Sequence, residues 1–456
     1  MAKTNSISKF TLILVIVICA WYGKNLKKWE KNSIINHDVI HYYAYFPATF
    51  IYNDWSFDFR NDLPEDFEGR IWLLKTPEGK PVLKMTMGLS MLWLPFELVA
   101  HGYAKVSHFR ADGYTKPYSF AIFIANLVYL FWGLFFLRKL LLKYFHDISV
   151  AIVLFLVVLS TNLMHYVIAE PGMAHVYNFS LIALFLYLTD RWLQKPKWFN
   201  SIALGVTFGM IGLIRPVNAV VGIVPLLWGI SNLKGARQRL SFFVTNWKMI
   251  LVVLVGIFLI NFPQFLYWKV VTGHWIYYSY QDEGFFLNNP NITNGLFSYR
   301  KGWLIYTPVM ALALSGFFFL RKFAKGITIA LLATMAFAVY IVYSWWTWWY
   351  GGGFGSRPMI DFYALMAIPL AAVVQYIIKS RWWLKLASVA VIGFLVYLNQ
   401  FQMNQYRTSL LHWDSMTKEA YWAIMFEKQW PPNYTELIKS PDYDKAMKGE
   451  DEYSNL

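Results

Sequence analysis

The sequence predicts an all-α integral membrane protein of about eleven transmembrane helices, with a large first outer loop carrying interfacial helices. Three observations predict it. The 456 residues are 57% hydrophobic and only 15% charged, where soluble domains carry roughly 25% charged residues. Apolar runs long enough to span a bilayer recur along the chain, and the short loops between them alternate in charge. The net charge of +15 is spread over alternate loops, as topology signals are. No nucleic-acid-binding module accompanies it, so nucleic acid is not read as a partner.

The start, MAKTNSISKFTLILVIVICAWYG, has the basic residues and apolar core of a signal peptide. Cys-Ala-Trp follows the core where a small-x-small cleavage site would stand, so a retained first helix is expected. Its apolar part is short for a hydrocarbon core of roughly 30 Å, and the helix is expected to run past it. Cys19 is the single cysteine, which leaves no intrachain disulfide and no cysteine-based zinc site.

With Lys and Arg placed inside, the expected spans are 8–23, 117–137, 148–168, 175–190, 198–214, 217–231, 248–268, 304–320, 326–345, 359–378 and 385–400. The inner loops are then 1–9, RKLLLKYFHD, RWLQKPKW, SNLKGARQRL to NWK, RKFAKG and KSRWWLK, each short and basic. Loops near 169–174 and 346–358 are nearly free of Lys and Arg and fall outside. Residues 88–104, GLSMLWLPFELVAHGYA, resemble a twelfth span, but counting them would put every later basic loop outside. Glu97 and His101 would also be costly at mid-bilayer. This run is read as an interfacial helix within a first outer loop over 24–116. Residues 1–400 thus form a polytopic membrane domain, and 401–456 an outer-face tail.

On this topology the outer face collects the residues that carry chemistry. The stretch 35–52, INHDVIHYYAYFPATFIY, sets Asp38 among aromatic and imidazole neighbours. Arg215 ends an apolar run beside the helix-breaking Pro216. In WWTWWYGGGFGSRPMID, 345–361, four glycines let the backbone approach a bound group closely. Arg357 and Asp361 follow, at the outward amino end of a helix that favours an anion. Arg300 and Lys301 begin another inward-going helix, Lys84 precedes the interfacial helix, and Glu170 and His175 flank a short outer turn.

One outer acid among several outer cations suits transfer from a sugar on a polyprenyl phosphate. The leaving phosphate needs no general acid, unlike the alkoxide leaving groups of glycosidases. One carboxylate to deprotonate an acceptor hydroxyl suffices, with cations to hold the charge that develops on phosphate. Arginine matches phosphate in a bidentate way. Asp38 is the expected base, and Arg357, Arg215, Arg300, Lys301 and Lys84 are the candidate phosphate ligands. Glu170, His175 and Asp361 are candidates for an acceptor or second-acid role. No cofactor and no dedicated divalent site is read, although Asp38 and Glu170 would share an ion if folding brought them together.

The layout over most of residues 1–400 resembles the glycosyltransferase C superfamily, which includes protein O-mannosyltransferases and lipid A aminoarabinose transferases. The shared features are a first helix, a large outer loop opening with an acid, a Lys-x-x-x-Gly at Lys84 before the interfacial helix, and short basic inner loops. The resemblance implies that Asp38 is the catalytic base and that Lys84 meets the donor phosphate. The chain departs from the family in three places. His37 and Val39 stand where a second acid usually adjoins the first. His175, with Glu170 upstream, stands near the position of a second Asp, and no large carboxyl-terminal outer domain follows.

The expected protein is an inverting glycosyltransferase using a polyprenyl-phosphate sugar in a bacterial inner membrane. Its amino terminus would be cytoplasmic and its site periplasmic, and the acceptor would be a protein, lipid A or a polysaccharide. In an endoplasmic reticulum membrane, Asn291-Ile-Thr would be a glycosylation acceptor. The alternative is a polytopic transporter or flippase of a lipid-linked or small polar substrate. That class places ionisable residues deep in broken helices, whereas here the span centres hold almost no acids.

Overall fold

A computed structural model describes residues 6–31, 33–64, 67 and 71–450. Helices dominate it, and the only sheet among these residues pairs Leu74–Lys75 with Pro81–Val82, antiparallel. Six segments are long and apolar enough to cross a membrane: Ser6–Lys31, Lys116–Leu141, Trp247–Thr272, Val309–Tyr343, Arg357–Ile378 and Trp382–Arg407. The fold class is thus all-α with membrane-spanning character, but six helices rather than eleven meet that measure among the described residues.

The difference has local causes. The expected span 148–168 divides into Asp147–Leu159 and Leu163–Ile168. At the break, the Ser160 and Thr161 hydroxyls bond back to the Leu156 and Val157 carbonyls at 2.5 and 2.6 Å, a competition that bends helices. The run 304–320 is interrupted at Thr307 and Pro308, and 217–231 becomes a 3-10 turn after Pro216 followed by the short helix Ile223–Leu227. The helix Ala174–Gln194 is continuous but lies almost wholly inside the protein, where Asn178 and Asp190 find partners.

Around the buried helix Tyr363–Ile378 the others pack in pairs. Val309–Ala324 lies against it, Lys116–Leu141 against Ala174–Gln194, Ser6–Leu26 against Asp147–Leu159, and Trp198–Ile214 against Trp247–Thr272. On the periphery, Trp247–Thr272 exposes Leu251, Leu254, Phe258 and Leu259, and Trp382–Arg407 exposes Trp382, Leu386, Val389 and Phe394. Apolar faces of this extent are suited to lipid.

One end of the bundle gathers the basic loops. Ser8 bonds Asp147, and Arg138 donates to Ser8 at 2.7 Å. Lys143 pairs with Asp190, Arg239 donates to the Trp228 carbonyl, and the Gly229 N–H reaches Gly326 at 2.7 Å. The helix Gly88–Val106 is not among the six long apolar segments. It packs on Lys116–Leu141 and leaves Leu98, Val99, Tyr103 and Val106 exposed. Burial pushes its Glu97 carboxyl well above the ordinary range, with the Tyr43 hydroxyl 3.2 Å away. At the far end the tail folds back as Lys418–Ala423, Tyr434–Leu437 and Tyr443–Met447.

Helix contacts here depend on small residues. A Cβ on Gly316 would stand 2.0 Å from the Pro369 carbonyl oxygen, whereas Gly212 has open space around it. Gly316→Val is expected to destabilise the protein by about 1–3 kcal/mol through overpacking. Thermal unfolding in detergent checks this, with Gly212→Val as the control that leaves stability near wild type.

Candidate functional site

The site is built at the end of the bundle opposite the basic loops. Asp38 opens the short helix Asp38–Tyr43, after His37 at φ 48°. A positive φ is uncommon for a residue with a side chain, and here it turns the chain so that Asp38 enters a cavity. The segment is pinned by Tyr43, whose hydroxyl donates to the Gly113 carbonyl at 2.5 Å, and by Tyr45, which donates to Met85 at 2.7 Å. The Lys84 N–H donates to Nδ1 of His41 at 2.7 Å. Burial lowers the His41 pKa to about 4, which keeps the ring neutral and Nδ1 free to accept. Asp38 and Lys84 are thereby presented together in one cavity.

Arg357 comes from the glycine stretch. Gly355 has φ 62°, and a Cβ there would also meet the Tyr306 side chain at 3.0 Å, so only glycine satisfies both demands. Pro358 then starts the 3-10 turn Arg357–Phe362 that leads into the central helix. Arg215 follows the helix Trp198–Ile214 and His175 opens Ala174–Gln194.

These residues share one cavity of about 360 Å³, lined by Asp38, Lys84, His175, Arg215 and Arg357 with Tyr42, Trp268, Tyr280, Glu283, Trp346 and Tyr350. That volume lies within the roughly 300–1,000 Å³ of small-ligand sites. Every cation in it has an acid. Arg357 Nη2 lies 3.5 Å from Asp38, Arg215 Nη1 lies 3.4 Å from Asp361, and Lys84 pairs with Glu283. Aromatic faces add to the cation sites: Arg215 stands 5.6 Å from the Tyr350 ring centre and Lys84 5.3 Å from that of Tyr280.

Asp361 does not line the cavity. It is fully buried and accepts from His175 Nδ1 at 2.8 Å, Asn218 at 2.7 Å, Asn178 at 3.4 Å and Arg215 at 3.4 Å. It holds Arg215 and His175 in place from behind and does not itself reach the cavity. Glu170 lines a second cavity of about 390 Å³, apart from Asp38, and accepts from His165 Nε2 at 3.1 Å. Burial pushes its carboxyl up, but the hydrogen bond from His165 and the charge of Arg357 offset this and leave it below the ordinary range.

The Arg300–Lys301 pair is placed elsewhere. Arg300 is buried and donates to the Asp414 and Lys439 carbonyls, the second at 3.1 Å. Lys301 donates to the Gly353 carbonyl, and burial lowers its pKa to about 7. Both residues bind backbone: Arg300 fastens the tail, and Lys301 fastens the glycine stretch. Among the described residues no group of three or more His, Cys, Asp or Glu converges as a metal site.

Sequence reading missed Glu283. Its signal was an acid inside an aromatic-rich loop, YYSYQDEGFF. Its carboxylate also accepts from Trp346 Nε1 at 3.2 Å, which ties the 273–290 loop to the rim. Tyr443 of the tail lines the same cavity.

Removing a buried partner of a charge costs about 3–5 kcal/mol. Asp361→Ala is therefore expected to lower stability by about that amount, read by thermal unfolding in lipid nanodiscs, and Asp361→Asn is expected to lose less. Wild-type stability in the Ala variant would contradict the supporting role.

No protein-family model and no curated protein matches the chain.

Proposed function

We propose that the chain is an integral membrane, inverting glycosyltransferase of the glycosyltransferase C kind. It moves a sugar from a polyprenyl-phosphate donor to an acceptor hydroxyl on the outer face. We place it in a bacterial inner membrane, with eleven spans, a cytoplasmic amino terminus and a periplasmic site. One observation carries the reading: a carboxylate half-open to a single cavity stands against an arginine, with two further cations and an aromatic wall around it.

In this mechanism the acceptor oxygen attacks the anomeric carbon from the face opposite the phosphate. Asp38 takes the hydroxyl proton as the new C–O bond forms. The bond from the anomeric carbon to phosphate breaks, and its electron pair leaves on the phosphate oxygen. Arg357, Arg215 and Lys84 hold the negative charge that gathers there. Before donor binding, Arg357 neutralises Asp38. The donor phosphate draws Arg357 away, so the base becomes free only when its substrate is present. Arg215 cannot be drawn off in the same way, since buried Asp361 fixes it. The aromatic wall supplies apolar faces for the sugar ring, and the few convergent polar groups orient it. The donor's apolar tail leaves along the exposed helix faces.

The test uses membranes holding either the intact protein or Asp38→Asn, labelled polyprenyl-phosphate donors, and native envelope extract as acceptor. Losing a general base is expected to slow transfer by about 10²–10⁴-fold while donor binding persists. Equal transfer by both forms would remove Asp38 from the mechanism. Absence of turnover with every donor would favour the transporter class.

A further inference from the structure

The second cavity differs from the first in its charge balance. It lies across the glycine stretch: Gly351 lines the first cavity, and Trp413, which lines the second, packs where a Gly352 Cβ would come within 3.3 Å of its ring. Lys28, Lys31 and Arg407 line it with His165 and Glu170. In the first cavity each cation is matched by an acid. Here, among the described residues, none of Lys28, Lys31 and Arg407 forms an ion pair, and the single acid, Glu170, is engaged by His165. A net positive concavity beside apolar Leu26, Leu411 and Trp413 favours an anion carried on an amphiphile. His165 adds a second sign. Its side chain is 2% exposed, Nε2 is bonded to Glu170, and Nδ1 has no partner, although buried polar atoms are rarely left so.

We infer that this cavity is a binding site for a phosphate ester, held by Lys28, Lys31 and Arg407. Lys28 and Lys31 follow the helix Ser6–Leu26 and Arg407 ends Trp382–Arg407, so the site opens where the apolar faces of two spanning helices stop. The ester comes either from a lipid headgroup of the surrounding bilayer or from a phosphorylated acceptor. Service as an acceptor subsite rests on the glycosyltransferase reading, whereas the binding itself does not.

Equilibrium binding to the full-length protein in neutral detergent tests it, with two probes: labelled phosphatidylglycerol and radiolabelled glucose 1-phosphate. At least one is expected to bind saturably, and Lys28→Gln/Lys31→Gln/Arg407→Gln is expected to weaken it by at least about tenfold. Lys234→Gln/Arg237→Gln/Lys248→Gln at the basic end should leave it unchanged. Binding of the lipid alone assigns a headgroup site, and binding of the sugar phosphate assigns an acceptor-type site. Failure of both probes, or equal binding by the triple variant, would overturn the inference. The binding assay involves no turnover, so its failure is distinguishable from failure of the transferase assay.

Discussion

The Asp361 carboxylate is the point on which the site depends. Removed from water, its charge must be met by donors, and four arrive from two other parts of the chain. His175 and Asn178 come from one helix, and Arg215 and Asn218 from the turn after another. Asp361 itself lies in the 3-10 turn that begins with Arg357. Satisfying one buried charge therefore fixes three backbone segments at one end of the bundle. Arg215 and His175 reach the cavity because their other sides are held by Asp361.

The two cavities use charge differently. In the first, each cation is balanced by an acid, which makes an empty site tolerable in a partly buried setting. In the proposed mechanism an entering phosphate takes Arg357 from Asp38, the more open partner of that pair. The second cavity keeps its cations unbalanced at the margin of the apolar belt. The loops at 169–174 and 351–357 lie between them, with Lys301 and Arg300 bracing that partition and the tail.

Much of this was legible in the sequence. Arg215, Arg357 and His175 stood out as ionisable residues at the ends of apolar runs, costly unless used, Asp38 for its aromatic and imidazole neighbours, and Lys84 for its place before the helix Gly88–Val106; all five line one cavity. Arg300 and Lys301 showed the same signal, but the carbonyls they bind belong to Asp414, Lys439 and Gly353. No local pattern reveals such long-range backbone contacts. Asp361 was visible as an outer acid, yet its burial depends on Asn178 and Asn218, which carry no charge signal. Glu283 lay in a loop whose docking depends on Trp346. Span boundaries failed where Ser160, Thr161 and Pro308 interrupt runs that hydropathy alone joins. A helix such as Ala174–Gln194, enclosed by protein, does not need the apolarity that hydropathy measures.

In the proposed mechanism everything turns on a lipid-linked phosphate taking Arg357 from Asp38. Cryo-electron microscopy of the protein in nanodiscs supplied with a polyprenyl phosphate tests it most directly. Phosphate density is expected in the first cavity against Arg357 and Arg215, with Arg357 moved out of contact with Asp38. An empty first cavity, or phosphate bound there with Arg357 still on Asp38, would contradict it.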